Sequence, residues 1–180
     1  MVKYTRQKEY FKGAFHHVYS RGVDKQIIFK DNQDYIYFLK RLRHYKNKYE
    51  IDILSYCFMP NHFHFLTFQL SNQPLSKMMQ YLLNGYVMYF NKRYDRKGCL
   101  FEEKFRAISI GDEGLLLHLS KYIHLNPLTA GLVTKIEKWP WSSYLDYINM
   151  RSGTLPNKKL ILKEIDIKKY KKFCEKETQF

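Results

Sequence analysis

The sequence predicts an α+β fold: a four-stranded antiparallel sheet of the ferredoxin-like split βαβ type, with one helix added after it. Three observations carry this. Alternation of β-branched and aromatic residues marks four short stretches. Apolar residues three and four positions apart mark three longer ones. The two patterns follow one another as β-α-β-β-α-β-α, whose first six members make the βαββαβ arrangement.

Residues 14–23, AFHHVYSRGV, form the first strand and close on Arg21-Gly22. Residues 31–50 open with Asp31 and Asn32, which suit a helix cap. They then set Tyr35, Phe38, Leu39, Leu42, Tyr45 and Tyr49 at amphipathic spacing. IDILSYCFM (51–59) alternates as the second strand, Pro60-Asn61 turns the chain, and HFHFLTFQ (62–69) returns as a hairpin partner. Between Pro74 and Tyr94, Leu75, Met78, Met79, Leu82, Leu83, Tyr86, Val87 and Phe90 mark the second helix. CLFEEKFRAISI (99–110) is expected as the fourth strand, with Phe101 and Phe105 on one face and Lys104 and Arg106 on the other. The added helix starts near Asp112 and is expected to stop near Asn126, because Pro127 follows.

A right-handed crossover makes the first two strands parallel and leaves a gap that the third fills. HFHFLTFQ is therefore expected mid-sheet, with helices on one face. Residues 1–150 make up the expected domain, and the Lys-rich residues 151–180 read as a basic C-terminal appendage.

The chain of 180 residues has 31 Lys and Arg against 17 Asp and Glu, a net charge of +14, which points to a polyanionic partner such as nucleic acid. Cys57, Cys99 and Cys174 lie far apart, which argues against a disulfide framework and for a reducing compartment. No apolar stretch reaches membrane-spanning length. The expected location is cytoplasmic.

Alternation puts His62, His64, Leu66 and Phe68 on one strand face and Phe63, Phe65 and Thr67 on the other. The two imidazoles would then be near enough to grip one metal ion, although two exposed or hydrogen-bonded histidines are the more ordinary reading of the pair by itself. In LHLSKYIHLNP, His118, Tyr122 and Asn126 stand four apart as one polar stripe. A surface tyrosine and a helix-ending Asn explain that pattern too. His16, His17 and His124 are assigned no role, and Trp139 and Trp141 are expected to pin the segment after the last helix.

Taken together, FHHVYSRGVDKQIIFKDNQDYIYFL, CFMPNHFHFLTF, GCLFEEKFRA, LSKYIHLNPLTAGLV and WPWSSY resemble the IS200-like single-tyrosine HUH transposases, especially the REP-associated branch. The resemblance spans residues 14–144. It implies that His62 and His64 are metal ligands, that Asn126 is the third, and that Tyr122 is the nucleophile on the added, catalytic helix. Insertion-sequence relatives carry Gln where this chain has Asn126, and Asn suits the REP-associated branch.

The implied activity is a metal-dependent single-strand DNA endonuclease and strand transferase. It acts at hairpins through a 5′-phosphotyrosine, with Mg²⁺ or Mn²⁺ as cofactor, and works as a monomer or homodimer. When bound to DNA the protein would be nucleoid-associated. Arg21, Lys104 and Arg106 are the expected DNA-binding residues on an open sheet face. Two other readings compete: a non-catalytic nucleic-acid-binding module on the RNA-recognition scaffold, and a zinc protein using His62, His64 and Cys57.

Overall fold

The computed structural model describes residues 10–163 and 165–176. Its elements follow the expected order: β1 (Phe15–Arg21), α1 (Asn32–Lys48), β2 (Ile51–Met59), β3 (His62–Gln69), α2 (Leu75–Arg93), β4 (Arg106–Ile110) and α3 (Leu116–Thr129). Two short helices come later, α4 (Tyr144–Tyr147) and α5 (Ile167–Glu175). The sheet order is β2-β3-β1-β4 with every neighbouring pair antiparallel, so β3 does fill the gap between the first two strands.

Local chemistry explains the main boundaries. The Asp31 carboxylate accepts from the amides of Gln33 and Asp34 and caps α1, while Lys46 and Lys48 lie in its last turn. Pro60-Asn61 leaves two residues for the β2–β3 turn, and the amides of Ile28 and Phe29 both donate to the Pro60 carbonyl. On one sheet face Phe38 and Leu42 of α1 and Met78, Leu82 and Tyr86 of α2 bury against Val18, Phe63 and Phe65.

Several expectations need correction. The opposite sheet face is not open. Leu54, Cys57, Met59 and Leu66 are covered there by Leu116 and Ile123 of α3, Tyr144 and Tyr147 of α4, and Ile161, Tyr170 and Cys174. The fourth strand is shorter than 99–110, because the chain bends where Glu103 and Arg106 pair at 2.7 Å and the Ser20 hydroxyl donates to the Glu103 carbonyl at 3.3 Å. Only Phe101 bridges to Gly22 before that bend.

Pro127 does not end α3 but sits inside it. Proline cannot donate to the Ile123 carbonyl. The Asn126 side-chain amide donates to the carbonyls of Tyr122 (2.8 Å) and Ile123 (3.5 Å), so the carbonyl that proline orphans keeps a long contact.

The tryptophans behave as expected. Trp139 donates to the Phe58 carbonyl at 3.0 Å, and Trp141 stacks on Tyr35 with ring centres 4.4 Å apart. The segment beyond α3 also covers the outer edge of β2, through bridges from Ser142 to Cys57 and from Pro156 to Ile53.

Candidate active site

A cleft of about 720 Å³ opens where α3 leaves the sheet face uncovered, lined in part by Arg21, His62, His64, Arg106, Tyr122 and Asn126. Strand alternation brings the first three together. Arg21 of β1 pairs with His62 of β3, and Tyr19 pairs with His64, so one face of both strands looks into the cleft. From α3, Tyr122 and Asn126 project one turn apart. Tyr122 is 50% exposed, and its ring stands edge-on to His64 with centres 5.9 Å apart.

The histidines are held in defined orientations. Asn61 Nδ2 donates to the Lys25 carbonyl at 3.1 Å, which turns its Oδ1 toward His62 Nδ1 at 2.6 Å. His62 must then carry its proton on Nδ1, leaving Nε2 with a bare lone pair. His64 Nδ1 lies 3.0 Å from His17 Nε2, a buried contact that likewise leaves His64 Nε2 unused.

Burial, joined by the charge of Arg21, lowers the His62 pKa to about 4. Burial first, then His17, His62 and Arg21, lower that of His64 to about 2. Burial alone lowers His17 to about 4. All three rings are neutral near pH 7, the form in which imidazole binds a metal.

The residue set fits a divalent cation. His62 Nε2 is a ready donor, His64 Nε2 becomes one when His64 gives its Nδ1 proton to the contact with His17, and the Asn126 amide lines the same cleft. Among the described residues no three of His, Cys, Asp and Glu gather as a metal-holding group, so an ion here would rest on two imidazoles and an amide. Cys57 does not fit the zinc reading. It is fully buried in the second core, and desolvation pushes its thiol far above the usual range.

The expected DNA-binding residues divide. Arg21 is exposed at the cleft, and its charge reaches both histidines. Arg106 also lines the cleft, but its guanidinium makes two bonds to the Glu103 carboxylate, of 2.7 and 3.1 Å. Lys104 lies in the bend before β4 and lines a different groove. His118 leaves the stripe and packs edge-on against Phe173 of α5.

Two residues with no expected role prove structurally central. His17 is the diagonal neighbour of His64 across β1–β3; alternation from Arg21 through Tyr19 marks it as facing the same side. His124 anchors α3 from beneath. Its Nδ1 meets the Tyr170 hydroxyl at 2.8 Å and its Nε2 the Ser143 hydroxyl at 2.7 Å. Ser143 in turn accepts from the Tyr56 amide of β2 at 2.8 Å. No signal in the sequence pairs His124 with Tyr170, since their contact depends on the packing of α5.

Comparison with known proteins decides the family. The model of the family described as "Transposase IS200 like" matches residues 9–126, about two thirds of the chain. The chain belongs to the IS200-like transposase family. Its fold is similar to a solved REP-associated tyrosine transposase bound to a REP hairpin, with a TM-score of 0.66 over 83% of this chain and 86% of that one, at 18% identity. No curated protein sequence matches it. An IS200-like transposase is a DNA-rearranging enzyme, and among the described residues no helix is long and apolar enough to cross a membrane.

Proposed function

We propose that this transposase is a divalent-metal-dependent single-strand DNA endonuclease and strand transferase acting at hairpins, with Tyr122 as its nucleophile. One observation supports this above the others: Tyr122, His62, His64 and Asn126, from a strand and a helix remote in sequence, converge on one cleft. The hairpin substrate is suggested by the REP hairpin in the related structure. The protein would act as a monomer or homodimer on chromosomal DNA in the cytoplasm.

His62, His64 and Asn126 would hold Mg²⁺ or Mn²⁺, and a pair of imidazoles favours Mn²⁺. A bound ion supplies Lewis-acid polarisation of a phosphate oxygen. Tyr122 stands exposed at the rim, free to approach a phosphodiester. Its oxygen bonds to phosphorus as the bond from phosphorus to the 3′ oxygen breaks. The phenol loses its proton and the departing oxygen gains one. The products are a 5′-phosphotyrosine and a free 3′-hydroxyl. One phosphoester replaces another, so a 3′-hydroxyl can reverse the step and join strands. Arg21 offers the approaching phosphate a cation, whereas Arg106 is held by Glu103.

The test is incubation with hairpin-bearing single-stranded oligonucleotides and Mn²⁺, followed by denaturing electrophoresis. A protein–DNA adduct is expected, lost with EDTA and in Tyr122→Phe. An adduct that persists in either case overturns the reading. Hairpin binding with no cleavage by any variant would favour the non-catalytic module.

A further inference from the structure

Arg106 and His64 stand in one row across the sheet. Tyr19 of β1 pairs with His64 of β3 on one side and with Arg106 of β4 on the other. Residues paired across antiparallel strands share a sheet face, so all three side chains look into the cleft. Two strand spacings, about 10 Å, separate Arg106 from the proposed metal ligand. The row thus sets a cation beside the place where the proposed reaction needs a phosphate.

The fork of that cation is already filled. The Glu103 carboxylate accepts from Arg106 Nε at 3.1 Å and from Nη2 at 2.7 Å. Glu103 first, and then the Tyr19 hydroxyl, stabilise the guanidinium charge and raise its pKa. Two parallel bonds to a carboxylate copy the geometry in which a guanidinium grips a phosphate. The pair is open to water, its side chains 61% and 53% exposed, and pairs of that kind hold weakly. The backbone around it is tied down instead. The Glu102 amide donates to the Arg21 carbonyl at 3.0 Å, and the Ser20 hydroxyl to the Glu103 carbonyl at 3.3 Å. Releasing Arg106 therefore needs only a turn of the Glu103 side chain. Glu103 also borders the neighbouring groove, where Lys77 and Lys104 are exposed, so a displaced carboxylate has cations to turn toward.

We infer that Glu103 stands in for a substrate phosphate. A phosphodiester entering the cleft takes its place on the Arg106 fork, and the carboxylate returns when the DNA leaves. The exchange keeps the arginine closed to anions that bind a guanidinium no better than a carboxylate does. It rests on the proposed nuclease reading, which brings a phosphate to this cleft.

The test is a binding series by fluorescence anisotropy in Mn²⁺, with the full chain carrying Tyr122→Phe so that no DNA is cut. The ligands are hairpin oligonucleotides in which one phosphate at a time is replaced by a neutral methylphosphonate. At one linkage the neutral group should weaken binding about threefold, and Arg106→Gln should abolish that difference. Glu103→Gln should tighten binding of the natural oligonucleotide about threefold, and tighten that of the DNA neutral at this linkage much less. If no linkage depends on Arg106 while Glu103 is present, the fork stays capped and the exchange is wrong. Equal tightening of both DNAs by Glu103→Gln would reveal plain charge repulsion and overturn it too. Adduct formation is scored separately with Tyr122 intact. An adduct without an Arg106-dependent linkage removes the exchange alone, such a linkage without an adduct removes the nuclease reading alone, and neither signal removes both.

Discussion

His17 decides which edge of His64 faces the cleft, because its Nε2 occupies His64 Nδ1 at 3.0 Å. A ligand imidazole is commonly oriented by a partner on its other ring nitrogen, and loss of such a partner typically costs about 10–100-fold in metal affinity. His17→Phe should therefore bind Mn²⁺ about 10–100-fold more weakly by calorimetry without DNA, while its circular dichroism stays unchanged. His17→Gln, which can still meet Nδ1, should recover most of the loss. Wild-type Mn²⁺ affinity in His17→Phe would show that the contact has no positioning role.

Tyr122 separates chemistry from binding and from stability. Half exposed, with its ring edge-on to His17 and His64, it contributes little packing through its hydroxyl. Tyr122→Phe is expected to unfold within about 0.5 kcal/mol of wild type, to bind hairpin DNA unchanged by fluorescence anisotropy, and to form no adduct. Loss of binding alongside the adduct would place the phenol in substrate recognition instead.

Tyr170 should matter far more to stability than its distance from the cleft suggests. Its buried hydroxyl meets both Ser120 Oγ and His124 Nδ1 at 2.8 Å. Tyr170→Phe keeps the ring and leaves those two groups short of a partner, a loss of about 1–3 kcal/mol. Urea unfolding measures this directly, and a midpoint equal to wild type would mean that water replaces the hydroxyl.

Acid should destabilise the fold at mild pH. His124 is fully buried, and desolvation lowers its pKa from 6.5 to about 3. The unfolded chain takes up that proton first, so this contribution is fully present above pH 6.5 and is lost as pH falls toward 3. His17, His62 and His64 act in the same direction. In EDTA, each such histidine should cost roughly 1 kcal/mol per pH unit below its unfolded value. His124→Asn should shallow the slope between pH 6 and pH 4.5. A stability flat from pH 7.5 to 5 would contradict the assignment of these rings as buried and neutral.

How far the sequence discloses this molecule depends on the range of the interactions involved. Elements set by local periodicity were legible, and β2 and β3 match their expected residues 51–59 and 62–69. The convergence of His62 and His64 follows from alternation along a single strand, and Tyr122 and Asn126 from one helical turn. What local pattern could not give was everything set by another part of the chain. Pro127 was expected to end α3, yet the helix runs on to Thr129 with Ile123 and Pro127 buried. His118 sits one turn from Tyr122 but turns to Phe173, since α5 offers it a ring. Lys104 and Arg106 were expected to share a face, but a bend closed by the Glu103–Arg106 pair sends them to different hollows.

The covering of the second sheet face by residues beyond α3 has a consequence for modularity. Every group that gathers at the cleft lies within residues 9–126, the stretch that the family model matches. Yet Leu66 and Ile123 are buried against Tyr144, Tyr147, Ile161 and Tyr170. The part of the chain that is recognisable is thus smaller than the part that must pack. A graft or fragment cut at the matched boundary would carry all the reactive side chains and would strip α3 of the ground on which it stands.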